Sequence, residues 1–191
     1  MKKLFIVALP VEIGTEVIKE NGFKAITAED VFPAVYARGD DDYVAVVGMG
    51  AKDSAASMKV LDKMGLLRGS HVVLSGSAGS YALPVLSVVQ CASGFRELPL
   101  AECKATLVCV HEFVSPEHPH PELQAPSTCF DMESEFIAAG LKDAEPLTFT
   151  IVKTISDDGK GSLGDWRTVC EQHVQPIVRQ AAARFFAYRE E

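Results

Sequence analysis

The sequence predicts an α/β fold, a three-layer α/β/α sandwich around a mixed, mostly parallel central sheet. Three observations predict it. Apolar runs of strand length alternate with helical patterns along the chain, as expected where helices cover both faces of a sheet. The first run, residues 4–9, is apolar at every position, which suits a strand buried on both faces. Between residues 31–38 and 43–47, two β-rich runs, stands Gly39-Asp40-Asp41-Asp42, a hairpin signal that makes the sheet mixed.

Each element follows in order. Pro10 ends the first strand and suits the first turn of a helix over residues 11–21, with Val11, Thr15 and Ile18 on one side and Asn21-Gly22 as its stop. Glu12 sits at that strand-to-helix junction, where a carboxylate also complements the helix dipole. After the hairpin, Gly48-Met49-Gly50 leads into a helix over residues 52–64. A Gly-x-Gly turn approaches a phosphate or sugar closely, or simply packs tightly. Residues 71–74 form a strand that runs into Ser75-Gly76-Ser77-Ala78-Gly79-Ser80. This reads as a small-residue loop offering backbone N–H groups and hydroxyls, or as a tight turn. Residues 85–91 read as a strand, residues 94–104 as irregular, and residues 106–110 as a short strand leading to His111-Glu112-Phe113-Val114.

Residues 115–126 read as a proline-rich loop. Its His118 and His120, with His111, lack the support of a regular element for metal ligation, so no metal is expected. Asp131-Met132-Glu133-Ser134-Glu135 opens a helix to about residue 141, with Asp131 as its N-cap. Residues 147–155 are apolar and β-branched without Gly or Pro, a buried strand that breaks at Ser156-Asp157-Asp158-Gly159. This places Asp157 and Asp158 at the carboxyl end of a central strand, where ligands bind in open α/β sheets. Either aspartate also suits a turn cap. A closing helix carries Trp166, Val169, Cys170, Val174, Ile177, Val178, Ala181, Phe185 and Phe186 as a core-facing stripe, bent at Pro176.

The chain of 191 residues reads as one domain over 1–191, without repeat or linker. A net charge of −8 argues against a nucleic-acid surface and for a small-molecule ligand. Five cysteines, an odd number without CxxC spacing, point to free thiols in a reducing, cytoplasmic setting. The start, Met1-Lys2-Lys3 before an apolar run, imitates a signal peptide. The run is short, lacks a cleavage site and is followed by Pro10 and Glu12. No run is long enough to cross a membrane.

Four motifs in order carry a family resemblance: Glu12 after the first strand, Val-Val-Leu-Ser-Gly-Ser-Ala-Gly over 72–79, Asp-Met-Glu over 131–133, and Ile-Val-Lys-Thr-Ile-Ser-Asp over 151–157. Together they resemble the purine nucleoside phosphorylase and uridine phosphorylase superfamily. The closest branch is that of methylthioadenosine/S-adenosylhomocysteine nucleosidase and futalosine hydrolase. The resemblance implies cleavage of an N-glycosidic bond of a purine nucleoside or a 5′-modified relative, without a cofactor. It implies Asp157 as the general acid toward N7 of the purine, and Glu12 as the group that activates water. It implies Glu133 on the ribose hydroxyls with Met132 beneath the sugar, and Ser77 on the water or sugar. Phe113 would stack on the base, Val114 would meet the base edge, Met49 would line the sugar side, and Ser156 belongs to the same strand-end motif.

Leu74 stands where hexameric phosphorylases carry a phosphate-binding arginine, and Lys153 stands where the nucleosidases usually carry arginine. Water is therefore the expected nucleophile. Alternatives are a phosphorylase binding phosphate through Lys153 and the 75–80 loop, and a non-catalytic nucleoside binder. Compared with the family, the chain is short between Gly79 and Asp131, the region that shapes the base pocket. The resemblance also implies a homo-oligomer.

Overall fold

The continuous apolar run forms strand β1 (Lys3–Val7), which pairs in parallel with β4 (Asp42–Val46) on one side and β5 (His71–Leu74) on the other. All five of its residues are buried, because alternate side chains enter two different cores. Phe5 and Val7 pack toward α1 (Pro10–Ile13), α2 (Thr15–Glu20) and α6 (Gln175–Ala187). Leu4 and Ile6 pack toward α3 (Gly50–Lys63) and α4 (Ser134–Lys142). Helices thus cover both faces, and the three-layer sandwich predicted from the sequence is the architecture observed.

This computed structural model describes residues 1–92, 94, 101–114, 120–160 and 165–188. The remaining strands are β2 (Lys24–Ala25), β3 (Ala34–Arg38), β6 (Ser77–Gly79), β7 (Val88–Ala92), β8 (Cys103–Lys104), β9 (Thr106–Cys109), β10 (Thr128–Asp131) and β11 (Thr148–Asp157). The sheet runs β2-β3-β4-β1-β5-β11-β6-β10-β9, with β7 antiparallel to β11 and β8 beside β7. Parallel pairings predominate, and the β3–β4 hairpin is antiparallel as expected.

Strand β11 organises the site half of the molecule. Its first residues pair with β5, and its last residues pair with β6 on one side while β7 covers its middle. Asp157 is its final residue, opposite Gly79 of β6.

Several local expectations are corrected. The helix expected over 11–21 is two helices, broken at Gly14, whose φ of +73° departs from helical geometry. The small-residue loop after β5 contains a strand, β6, because residues 77–79 find partners in β10 and β11, far away in sequence. Asp131 ends a strand rather than starting a helix; α4 begins at Ser134. Asp131 still serves that helix, since Oδ1 accepts from the Ser134 backbone N–H at 3.1 Å and its hydroxyl at 2.6 Å. The closing helix is segmented into α5 (Trp166–Val169), a π-helical turn over Cys170–Val174, and α6. Pro176 stands just beyond the π turn, and proline supplies no N–H to an α-helical ladder. Within the proline-rich stretch, a 3₁₀ turn covers Pro121–Gln124; residues 115–119, with His118, lie outside the described residues, as do most of 94–104 and residue 161. Among the described residues, no helix is long and apolar enough to cross a membrane.

Candidate active site

Glu12 is 2% exposed, yet its carboxylate is fully engaged. Oε2 accepts from the backbone N–H groups of Ala8 at 2.9 Å and Leu9 at 3.0 Å, the reach-back expected of a first-turn glutamate. Oε1 turns the other way and accepts from the Ser77 N–H at 2.8 Å and the Ser77 hydroxyl at 2.7 Å. One oxygen of Glu12 thus serves the helix start and the other holds Ser77. This approach needs glycine at position 76. Gly76 has φ +124°, and a Cβ there would stand 2.6 Å from Oε1.

Ser77 opens onto a cleft of about 490 Å³, measured with the space at its mouth. Met49, Gly79, Glu112, Phe113, Val114, Phe130, Asp131, Met132, Glu133, Ser156, Asp157 and Trp166 also line it. The structure thus brings Asp157, Glu133, Met132, Ser77, Phe113, Val114, Met49 and Ser156 to one cleft. Phe113 is 62% exposed at the rim. Glu12 and Lys153 do not stand on the wall. Glu12 lies one hydroxyl behind it, through Ser77.

Lys153, a candidate substrate-binding residue on the resemblance, is not among the residues that line the cleft. It is 1% exposed, with Nζ 2.8 Å from Asp131 Oδ2, an ion pair by distance that lies outside hydrogen-bond angles. Burial works against its charge, but the carboxylates of Asp131, Glu133 and Glu12 outweigh it and hold the ammonium above its ordinary pKa. A charge so committed leaves the phosphate site proposed for Lys153 and the 75–80 loop without its cation. That loop is also occupied: the Ser80 hydroxyl donates to the Thr128 carbonyl at 2.6 Å.

Glu133 stands at the start of α4, 5% exposed, beside this cluster. Burial is the first cause that pushes its carboxyl up to about 7; the positive Lys153 opposes the rise, and Asp131 and Glu12 add to it. The Gly50 N–H donates to Glu133 Oε1 at 3.2 Å, so the Gly48-Met49-Gly50 turn reaches the site through its backbone. Gly48 has a packing reason as well, since a Cβ there would lie 2.7 Å from the Phe32 ring.

Asp157 is held by the Gly159 N–H, which donates to Oδ1 at 3.0 Å, with the Ser156 hydroxyl 3.5 Å from Oδ2. Burial raises its pKa, the Gly159 N–H opposes this, and neighbouring Asp158 adds repulsion. Asp158 accepts from the Lys160 N–H at 2.9 Å, a turn cap. Both aspartates thus accept the backbone N–H two residues on, and Asp157 also lines the cleft. Gly79 leaves room for Asp157, because a Cβ there would stand 2.9 Å from Oδ1.

Trp166, Glu112 and Phe130, which also line the cleft, escaped the sequence reading, and Asp131 entered it only as the first residue of the Asp-Met-Glu motif. Trp166 carried a signal of core periodicity only, and Glu112 lay beside Phe113 in a segment without pattern. The histidines take separate carboxylate partners: His111 lies 3.5 Å from Glu135 and His120 lies 2.8 Å from Glu122. Among the described residues, no group of three or more His, Cys, Asp or Glu is placed to hold a metal ion.

No protein-family model and no curated protein matches the sequence. The fold, in contrast, matches solved structures over nearly the whole chain. An MTA/SAH nucleosidase of Streptococcus pneumoniae in complex with 8-aminoadenine matches with a TM-score of 0.73 at 15% identity, covering 97% of this chain and 99% of that one. A futalosine hydrolase mutant of Helicobacter pylori gives 0.74 at 15%, covering 98% and 99%. A mutant nucleosidase (MTAN) of Helicobacter pylori with 5′-methylthioadenosine in its active site gives 0.68 at 16%, covering 97% and 96%. At these identities the likeness is one of fold, and it is the fold that the four sequence motifs pointed to.

Proposed function

We propose that the chain is a nucleosidase that cleaves the N-glycosidic bond of a purine nucleoside or a 5′-modified purine nucleoside, with water as nucleophile. One observation carries this reading: Asp157 and Glu133 face one cleft, and Glu12 reaches that cleft through the Ser77 hydroxyl. The purine ligands named for two proteins of the same fold support the substrate class.

The chemistry follows from these positions. Breaking the bond builds positive charge on the sugar ring, and nearby carboxylates stabilise it as it develops. Asp157, its pKa raised mainly by burial, donates a proton to the departing base nitrogen. Glu133 receives the sugar hydroxyls, with Met132 beside it. Because both Ser77 donors point to Glu12, the Ser77 Oγ lone pairs are left to accept from a water in the cleft. That water passes its proton to Ser77 as Ser77 releases its own to Glu12, so Glu12 acts as base one hydroxyl removed. Phe113 at the rim offers a ring face to the base, and Val114 its backbone. Phosphorolysis is not favoured, because Lys153 is buried against Asp131 and Leu74 supplies no charge.

The same reading includes a homo-oligomer in the cytoplasm. It is supported by exposed Phe32 (41%) and Met49 (40%), the second of which lines the cleft, and by five unpaired thiols.

The test is base release from adenosine, inosine, methylthioadenosine, S-adenosylhomocysteine and futalosine, with and without phosphate. Release that needs no phosphate is the expected result. Release only with phosphate moves the chain to the phosphorylases, and tight binding without release makes it a nucleoside binder.

A further inference from the structure

Beside the cleft, Cys91 of β7 and Cys129 of β10 meet with their sulfurs 3.6 Å apart. They are not neighbours on paired strands. They approach across a small closed core that also holds Ala78, Val89 and Ile155. Cys129 is fully buried, whereas Cys91 is half-buried and lines a second, open cavity of about 660 Å³, measured as for the cleft with the space at its mouth. Lys104 also lines that cavity and gives it a positive charge.

Two sulfurs at this distance need to close by about 1.5 Å to reach disulfide length. They differ in readiness. The Cys129 thiol, donating toward Cys91, lowers the Cys91 pKa; burial opposes this and the Lys153 charge adds to it. The interaction with Cys91, with burial, raises that of Cys129. The accessible sulfur is thus the better nucleophile, and the buried one is placed to resolve.

We propose that Cys91 and Cys129 form a disulfide-forming site that takes an anionic low-molecular-weight disulfide and couples its redox state to the sugar-binding carboxylates. The Cys91 thiolate, its proton lost to water, attacks one sulfur of the small disulfide and expels one thiolate. The Cys129 sulfur, deprotonated in turn, attacks Cys91 and expels the second. Two protein thiols are oxidised by two electrons, and one small disulfide is reduced to two thiols. The coupling is geometric. Cys129 and Asp131 stand two apart on β10 and so share a face. A shift of Cys129 toward β7 therefore moves Asp131 against Lys153, and Glu133 follows two residues on.

The coupling rests on the proposed nucleosidase reading; disulfide formation does not. The experiment treats the reduced full-length protein with oxidised glutathione and follows it by intact mass and peptide mapping, with base release measured in parallel. The expected product links Cys91 to Cys129 with no retained glutathione at either sulfur. Cys129→Ser then traps a glutathione adduct on Cys91, and Cys91→Ser gives no link. Base release by the oxidised protein falls at least tenfold, recovers with dithiothreitol, and is insensitive to oxidation in Cys91→Ala. Persistent thiols, or adducts that do not resolve in the unsubstituted protein, overturn the site. A disulfide that leaves base release unchanged overturns the coupling. Absence of base release from the reduced protein defeats the nucleosidase reading instead, while the mass still decides whether the disulfide forms.

Discussion

At Asp157, one side chain holds two opposing influences: burial favours its neutral form and the Gly159 N–H favours its charge. The net rise is what a proton donor needs, so Asp157→Asn lowers the turnover rate by about 10²–10⁴-fold with little change in KM. Turnover of the unsubstituted chain also falls as pH rises through the Asp157 pKa, and the residual rate of Asp157→Asn lacks that limb. Equal rates for the two proteins across pH would remove Asp157 from the chemistry. Lys153 makes the opposite case, a charge retained for the fold. Lys153→Met leaves Asp131 buried and unpaired, at a cost of about 3–5 kcal/mol of stability, read by urea unfolding. Asp157, Ser77 and Glu12 were legible because short motifs name them. The place of Lys153 was not, since its motif does not say whether a strand residue faces the cleft or the core behind it.

The crossing from β5 to β6 sets the distance between the two halves of the site. Gly76 occupies it with a φ that other residues avoid, and its carbonyl accepts the Thr154 N–H of β11 at 2.9 Å. Gly76→Ala adds strain on the order of 1–3 kcal/mol and drives a methyl group into the Glu12 carboxylate. The expected outcome is a folded, less stable protein whose kcat/KM falls at least tenfold, measured by base release alongside thermal unfolding. An unchanged kcat/KM would show that Glu12 need not touch Ser77. The main strands and helices were legible because apolar periodicity marks them. Strands β6 and β10 were not: they are short, and long-range pairing rather than local propensity makes them strands. The helix break at Gly14 was likewise hidden, because the apolar spacing continues through it.

For the whole molecule, burying three acids around one ammonium makes stability a function of pH. Glu133 ionises near 4.5 in the unfolded chain and near 7 in the fold. Between those values the folded protein binds more protons than the unfolded chain, so this group's contribution to stability falls as pH rises. The loss is complete above the folded pKa and is on the order of 3 kcal/mol. Glu133→Gln keeps the shape without the titration. Its unfolding midpoint is therefore expected to gain on that of the unsubstituted chain between about pH 5 and about pH 8. Parallel midpoints across that window would mean that Glu133 is charged throughout. A bound nucleoside reverses part of the effect, because sugar hydroxyls donating to Glu133 favour its ionised form and lower its pKa. Stabilisation by a non-cleaved purine nucleoside analogue then grows with pH over the same window in the unsubstituted protein and stays flat in Glu133→Gln. The two unfolding series together separate a carboxyl that is merely buried from one placed to receive a sugar.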